Sequence, residues 1–255
     1  MGVLYKGEWR GCTVAIKKPV DPRAASDPAL KMDFQKEIDA LSLCRHPNIV
    51  LLMGACLRPP NLCMVFEWCP GGSLRSLVYS SADFRWDQQI RIAIGIASGL
   101  AFLHTGSPAI IHRDIKPENV LLDESRTVAK LCDFGLSIHV SEASEVRADS
   151  GTPMYMAPEL YRGETVTLSS DVYALGVTLN EVFSREAPFG GMDLMDIKQK
   201  VVGGSRPNVA LTCPRSMAKL VKEMWAPSGS ARPSMMECLK QLRGLRDAGG
   251  QQYLG

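Results

Sequence analysis

The sequence predicts an α+β chain of two lobes: a small, strand-rich first part and a larger, mostly helical second part. Three observations carry this. Short apolar runs with strand character fill most of the first 67 residues, with one helix among them. Pro70-Gly71-Gly72 then breaks the chain. Beyond the break Ile90, Ala93, Ile94, Ala97 and Ala101 recur at helical spacing.

Taken in order, residues 4–10 and 13–18 read as two strands joined by a turn at Arg10-Gly11. Three prolines between Pro19 and Pro28 mark a loop. Leu30, Phe34, Ile38 and Leu41 then give the apolar face of a helix over 29–45. Glu37 lies three residues after Phe34 and four before Leu41, beside that buried face. An unpaired carboxylate there is costly, so the pattern demands a cationic partner. Strands are expected at 50–56 and 62–67, and a cleft near 67–72. The long helical face ends near His104, and short strands follow at 120–122 and 128–132. Later helices are expected over 169–184, 192–202, 214–225 and 234–243, with Ser169 as a cap for the first.

Composition narrows the function classes. The chain has 255 residues, enough for one or two domains. Hydrophobic residues make up 45% and charged residues 22%, which excludes a disordered chain. Lys and Arg total 29 against 27 Asp and Glu, so no broad basic field for nucleic acid or membrane is expected. The eight cysteines contain no C-x-x-C pair, and they read as reduced thiols rather than a zinc site or disulfide framework. No stretch reaches the roughly 18 apolar residues of a membrane span. The start lacks a signal-peptide pattern, and Met1-Gly2 lacks the Ser or Thr at position 6 that myristoylation favours. These signs point to a cytoplasmic location.

Four motifs carry the chemistry. They are Val14-Ala15-Ile16-Lys17, His112-Arg113-Asp114-Ile115-Lys116-Pro117-Glu118-Asn119, Asp133-Phe134-Gly135 and Ala157-Pro158-Glu159, in that order. On these residues the chain resembles the eukaryotic protein kinase family over essentially its whole length. The resemblance implies a bilobal protein-kinase-like fold, with an N-lobe at 1–67, a hinge at 68–72 and a C-lobe at 73–255. It also implies ATP and Mg²⁺ as cofactors and a protein hydroxyl as the phosphate acceptor. Lys17 would hold the α- and β-phosphates, and Glu37 would be the partner that holds Lys17. Asp114 would accept or orient the substrate proton. Asn119 and Asp133 would offer oxygens to Mg²⁺, a hard cation. Leu4 would cover the adenine, Ala15 and Leu121 would sandwich it, and the backbones of Glu67 and Cys69 would meet its edge. Phe66 would close the pocket behind it, and Cys132 would line it. Lys116 matches the lysine of serine/threonine kinases, where tyrosine kinases usually place Ala and Arg.

Further carry-overs are structural. His112 and Phe134 would stack with Leu41 and Leu52, Glu159 would pair with Arg232, and Asp171 would brace the catalytic loop. Thr152 is expected to contact Asp114 and Lys116. Ser137, Ser141, Ser144, Ser150 and Thr152 lie in the activation segment. Ser150, then Ser144, is the expected phosphorylation site, by an upstream kinase or by self-phosphorylation, with Arg113 receiving the phosphate. The wording Asp133-Phe134-Gly135-Leu136-Ser137, Ser170-Asp171-Val172-Tyr173 and Trp86 resembles the tyrosine-kinase-like group, which includes Raf-like and mixed-lineage-like kinases. One departure stands out. Gly2-Val3-Leu4-Tyr5-Lys6-Gly7 matches only the tail of the family's Gly-rich loop, and the first strand is missing. A fragment of an active kinase is the expected reading. A pseudokinase or scaffold module with weakened catalysis is the alternative.

Overall fold

The computed structural model describes residues 2–20, 27–144, 146, 150–210 and 213–249. Strands β1 (Gly2–Trp9) and β2 (Cys12–Pro19) form a hairpin. Its two-residue turn puts both Arg10 (φ 52°) and Gly11 (φ 79°) in the left-handed region, as tight hairpins require. Residues 21–26 of the expected loop lie outside the described residues. Helix α1 (Pro28–Ser42) starts one residue before the expected bound, because the Asp27 carboxylate caps it by accepting from the Ala29 N–H at 2.9 Å. It stops three residues short of 45. There the Cys44 N–H turns back to the Leu41 carbonyl at 3.0 Å and tightens the end.

Strands β3 (Leu52–Cys56) and β4 (Cys63–Glu67) complete an antiparallel sheet of order β1-β2-β4-β3. The first of these begins later than the expected residue 50. The Val50 N–H donates to Leu131 O at 2.8 Å, and Leu131 N–H donates to Asn48 O at 2.9 Å. This segment therefore ties the small sheet to the larger part instead of extending the strand.

After the Pro70-Gly71-Gly72 break come β5 (Gly72–Ser73), α2 (Leu74–Val78), α3 (Trp86–Thr105) and β6 (Ile110–Ile111). Then follow β7 (Val120–Leu122), β8 (Ala129–Leu131) and β9 (Ile138–His139). Strands β5, β7 and β8 form a three-stranded sheet, and β6 pairs with β9. Val128 falls outside β8 because its N–H goes to the Asp123 carboxylate at 2.9 Å. The remaining helices are α4 (Pro158–Tyr161), α5 (Leu168–Ser184), α6 (Leu194–Val202), α7 (Arg215–Met224) and α8 (Met235–Asp247). Ser169 does not cap α5 but lies within it; Thr167 is the cap, its N–H donating to Ser170 Oγ at 3.3 Å. The expected α+β architecture, an antiparallel sheet lobe with one main helix and a mostly helical lobe, is thus observed.

Two glycines in α3 show how the core closes. A Cβ on Gly99 would stand 2.7 Å from Asn48 O, and one on Gly95 would stand 2.8 Å from Asn48 Nδ2. Only a bare backbone lets α3 approach that tie between the lobes. Helix α5 is the centre of the large part, with Val172, Tyr173, Leu175, Val177, Leu179 and Val182 all buried. Its burial fixes the position of Asp171 and Glu181.

Candidate active site

Four segments meet at the site. Strand β2 supplies Lys17, helix α1 supplies Glu37, the loop between β6 and β7 supplies Asp114, Lys116 and Asn119, and the residues after β8 supply Asp133. The Lys17 ammonium donates to both Glu37 oxygens, at 2.7 and 2.8 Å, and to Asp133 Oδ1 at 3.2 Å. Glu37 is buried, and Lys17 is the cation its sequence position demanded. Burial works against the Lys17 charge, but the two carboxylates outweigh it and hold the Lys17 pKa above the ordinary value. Burial likewise opposes ionisation of Asp133, and Lys17 outweighs it, holding that carboxyl below the usual range.

Asp114 is buried and held by three donors. Thr152 Oγ1 donates to its Oδ1 at 2.7 Å. Asn119 Nδ2 and the Lys116 ammonium reach its Oδ2 at 2.8 and 2.7 Å. Lys116 also donates to Thr152 Oγ1 at 2.6 Å. Asn119 Nδ2 donates to the Asp114 carbonyl as well, at 2.8 Å, so Oδ1 is the amide's remaining acceptor.

The loop that carries Asp114 is braced from α5. Asp171 accepts the N–H of His112 at 2.8 Å and of Arg113 at 2.9 Å, and pairs with His104 Nε2 at 3.0 Å. Burial would raise the Asp171 pKa, but His104 and these donors outweigh it and hold the carboxyl low. Arg113 and Asp133 sit in the left-handed region at φ 71° and 61°. Such backbone strain in non-glycine residues persists only where surroundings over-determine it. The His112 ring is buried and meets the Phe134 ring edge-on, with centroids 4.8 Å apart. Leu41 belongs to the same core cluster, and Leu52 packs against it.

The residues expected around the adenine come from two sheets and the segment that follows β4. Register pairs Leu4 with Lys17 and Ala15 with Phe66, so these four share a face of the sheet. Leu4 is 59% exposed, whereas Ala15 and Phe66 are buried. Leu121 lies on β7 and is half-buried. The Glu67 N–H donates to Leu51 O at 3.1 Å and its carboxylate pairs with Lys130 at 2.9 Å. Cys69 is buried, which pushes its thiol up to about 11; burial pushes the Cys132 thiol higher still, as an inert thiol requires.

Glu159 and Arg232 form a two-pronged pair at 2.7 and 2.8 Å. Burial would raise the Glu159 pKa, but Arg232 outweighs it and holds the carboxyl low. One buried acid escaped the sequence reading. Glu181 accepts from the hydroxyls of Tyr79 and Tyr155, each at 2.6 Å. Burial pushes its carboxyl up against the pull of those donors. The signal was present: an acid inside the apolar run of α5 needs partners for the same reason as Glu37.

The model of the family described as "Protein tyrosine and serine/threonine kinase" matches residues 1–242. A probable serine/threonine-protein kinase of Dictyostelium discoideum is 42% identical over 244 residues, covering 94% of this chain and 26% of its own. The probable serine/threonine-protein kinase SIS8 of Arabidopsis thaliana is 37% identical over 250 residues, covering 96% of this chain and 24% of its own. The probable serine/threonine-protein kinase drkA of Dictyostelium discoideum is 35% identical over 250 residues, covering 97% and 38%. This chain therefore spans well under half the length of these relatives. No helix among the described residues is long and apolar enough to cross a membrane. The chain belongs to the protein tyrosine and serine/threonine kinase family.

Proposed function

We propose that the chain transfers the γ-phosphate of ATP to a Ser or Thr hydroxyl of a protein. The observation that carries this is the cluster of Asp114, Lys116 and Asn119 on one braced loop, joined by Thr152 from the activation segment, together with the Lys17–Glu37 pair. Phosphoryl transfer asks mainly for positioning and charge neutralisation, which such a cluster supplies. Asp114 orients the acceptor hydroxyl and takes up its proton. Lys116 steadies the transferred phosphate, and its ammonium is the feature that favours Ser and Thr over Tyr. Lys17 holds the α- and β-phosphates, and Glu37 keeps that ammonium in place. Leu4, Ala15 and Leu121 hold the adenine, with Phe66 behind it and the Glu67 and Cys69 backbones at its edge.

The donor set suits a hard cation: a carboxylate on Asp133 and an amide oxygen on Asn119. Among the described residues no group of three or more His, Cys, Asp or Glu could hold a metal alone. Asn119 and Asp133 would therefore hold Mg²⁺ together with phosphate oxygens, as this ion prefers. Bound Mg²⁺ would neutralise phosphate charge during transfer.

We read the chain as one catalytic domain, with lobes at 1–67 and 73–255 and a hinge at 68–72, of the tyrosine-kinase-like group. Phosphorylation of Ser150, or next Ser144, orders the activation segment against Arg113. A Cβ on Gly151 would stand 3.1 Å from Arg113 O, so Ser150 neighbours that arginine's backbone. The test is phosphoamino-acid analysis of a generic protein substrate after incubation with ATP·Mg²⁺, using this chain and a form with a glycine-rich strand ahead of Gly2. Phosphoserine and phosphothreonine are expected. Dominant phosphotyrosine overturns the Ser/Thr assignment.

A further inference from the structure

The small sheet carries a second chemistry on the face turned away from Lys17. Strands β3 and β4 pair antiparallel, and Cys56 stands directly opposite Cys63 at the last position of the ladder. Both are free thiols and both are half-buried, so a small reagent reaches them. Lys17 pairs with Met64 and Ala15 with Phe66, so Met64 and Phe66 point to the cleft side. Side chains alternate along a strand, which sends Cys63 and its partner Cys56 to the other side.

The pairing meets the geometry of a disulfide. Opposed residues of an antiparallel pair have Cα atoms about 4.5–5.5 Å apart, within the about 4.4–6.8 Å that a disulfide spans. Their Cβ atoms are about 4.5–5.5 Å apart, while a disulfide prefers about 3.5–4.5 Å. The bond is therefore reachable with a small inward shift, and the strain makes it easy to reduce. The other cysteines differ. Cys44, Cys69, Cys213 and Cys238 are buried, half-buried Cys132 follows β8 and has no strand partner, and the register partner of Cys12 is Trp9.

We propose that Cys56 and Cys63 form a thiol modification site, a dithiol that glutathione disulfide converts to a reversible intrachain disulfide. One thiol loses its proton and attacks a sulfur of glutathione disulfide, releasing one glutathione thiolate and leaving a mixed disulfide. The opposite thiol loses its proton and attacks the protein sulfur of that mixed disulfide, releasing the second glutathione. The protein is oxidised by two electrons, and glutathione disulfide is reduced to two glutathiones. The closed loop is short, and the other end of the β3–β4 hairpin is already held by the Leu51 N–H on the Glu67 carboxylate at 2.8 Å. Oxidation thus pins both ends of the hairpin that leads to Phe66 and restricts the unfolded chain.

The test treats the whole chain with glutathione disulfide, alkylates the remaining thiols and maps the non-reduced peptides. A Cys56–Cys63 cross-link in most chains is expected, reversed by excess reduced glutathione. The oxidised protein melts a few degrees higher than the reduced one. Cys56→Ser and Cys63→Ser each abolish both the cross-link and the rise, and the remaining thiol carries a glutathione adduct. Separate glutathione adducts on both cysteines of the unaltered chain, or a bridge from either one to Cys12, overturn the proposal. The map of the unaltered chain decides this even if a serine variant folds poorly.

Discussion

The Thr152 hydroxyl donates to Asp114 Oδ1 at 2.7 Å, across 38 residues of chain. The activation segment and the catalytic loop are thereby joined at one atom. Hydrogen bonds to charged groups are worth about 1.5–3 kcal/mol, which corresponds to roughly 10–150-fold in rate if the bond matters to the transition state. Thr152→Ala is therefore expected to lower kcat by about that factor with little change in KM for ATP, whereas Thr152→Ser keeps most of the rate. Steady-state kinetics of the two variants check this.

A second expectation concerns Lys17, which faces two carboxylates. Glu37→Gln removes the nearer charge and leaves Asp133 as the stronger attraction. The ammonium is then drawn from its place, and nucleotide affinity should fall roughly tenfold, about 1.4 kcal/mol. Calorimetric titration with ATP·Mg²⁺ measures it. Unchanged affinity would mean that Glu37 does not position Lys17.

How far residues predict structure differs from place to place. The Lys17–Glu37 pair was readable because a carboxylate on a buried helix face has few solutions. Asp171, Glu159 and Arg232 were readable through the resemblance. The ends of elements were less so. Val50 looks like strand by composition, but its N–H is claimed by Leu131, a partner 81 residues away. Ser169 looks like a cap, but Thr167 takes that place two residues earlier. The left-handed Arg113 and Asp133 had no sequence signal, because the strain is imposed by Asp171, Lys17 and the packing around them. Tyr79 gave no hint of Glu181 either, since the fold brings the end of α2 onto α5 across 102 residues of chain.

A third expectation follows from Glu159 and Arg232. An unfolded glutamate titrates near about 4.3, and the folded Glu159 carboxyl titrates below that. A depressed pKa contributes stability that is fully present above the unfolded value and is lost as pH falls through the folded one. Between about pH 5 and about pH 3 the unaltered chain should therefore lose more unfolding free energy than Glu159→Gln. At neutral pH Arg232→Ala should cost about 3–5 kcal/mol, because it leaves a buried carboxylate unpaired. Urea melts across that pH range test both.

The most direct measurement is phosphate transfer from ATP·Mg²⁺ to a protein substrate by the chain, preceded by a glycine-rich strand, and by its Asp114→Asn variant. Asparagine keeps the size of Asp114 but cannot take up a proton, so transfer should be clear in the first protein and lost in the second, while nucleotide binding persists in both. Transfer that survives Asp114→Asn, or no transfer by the first protein despite nucleotide binding, would contradict the assignment of Asp114 as the residue that receives the substrate proton.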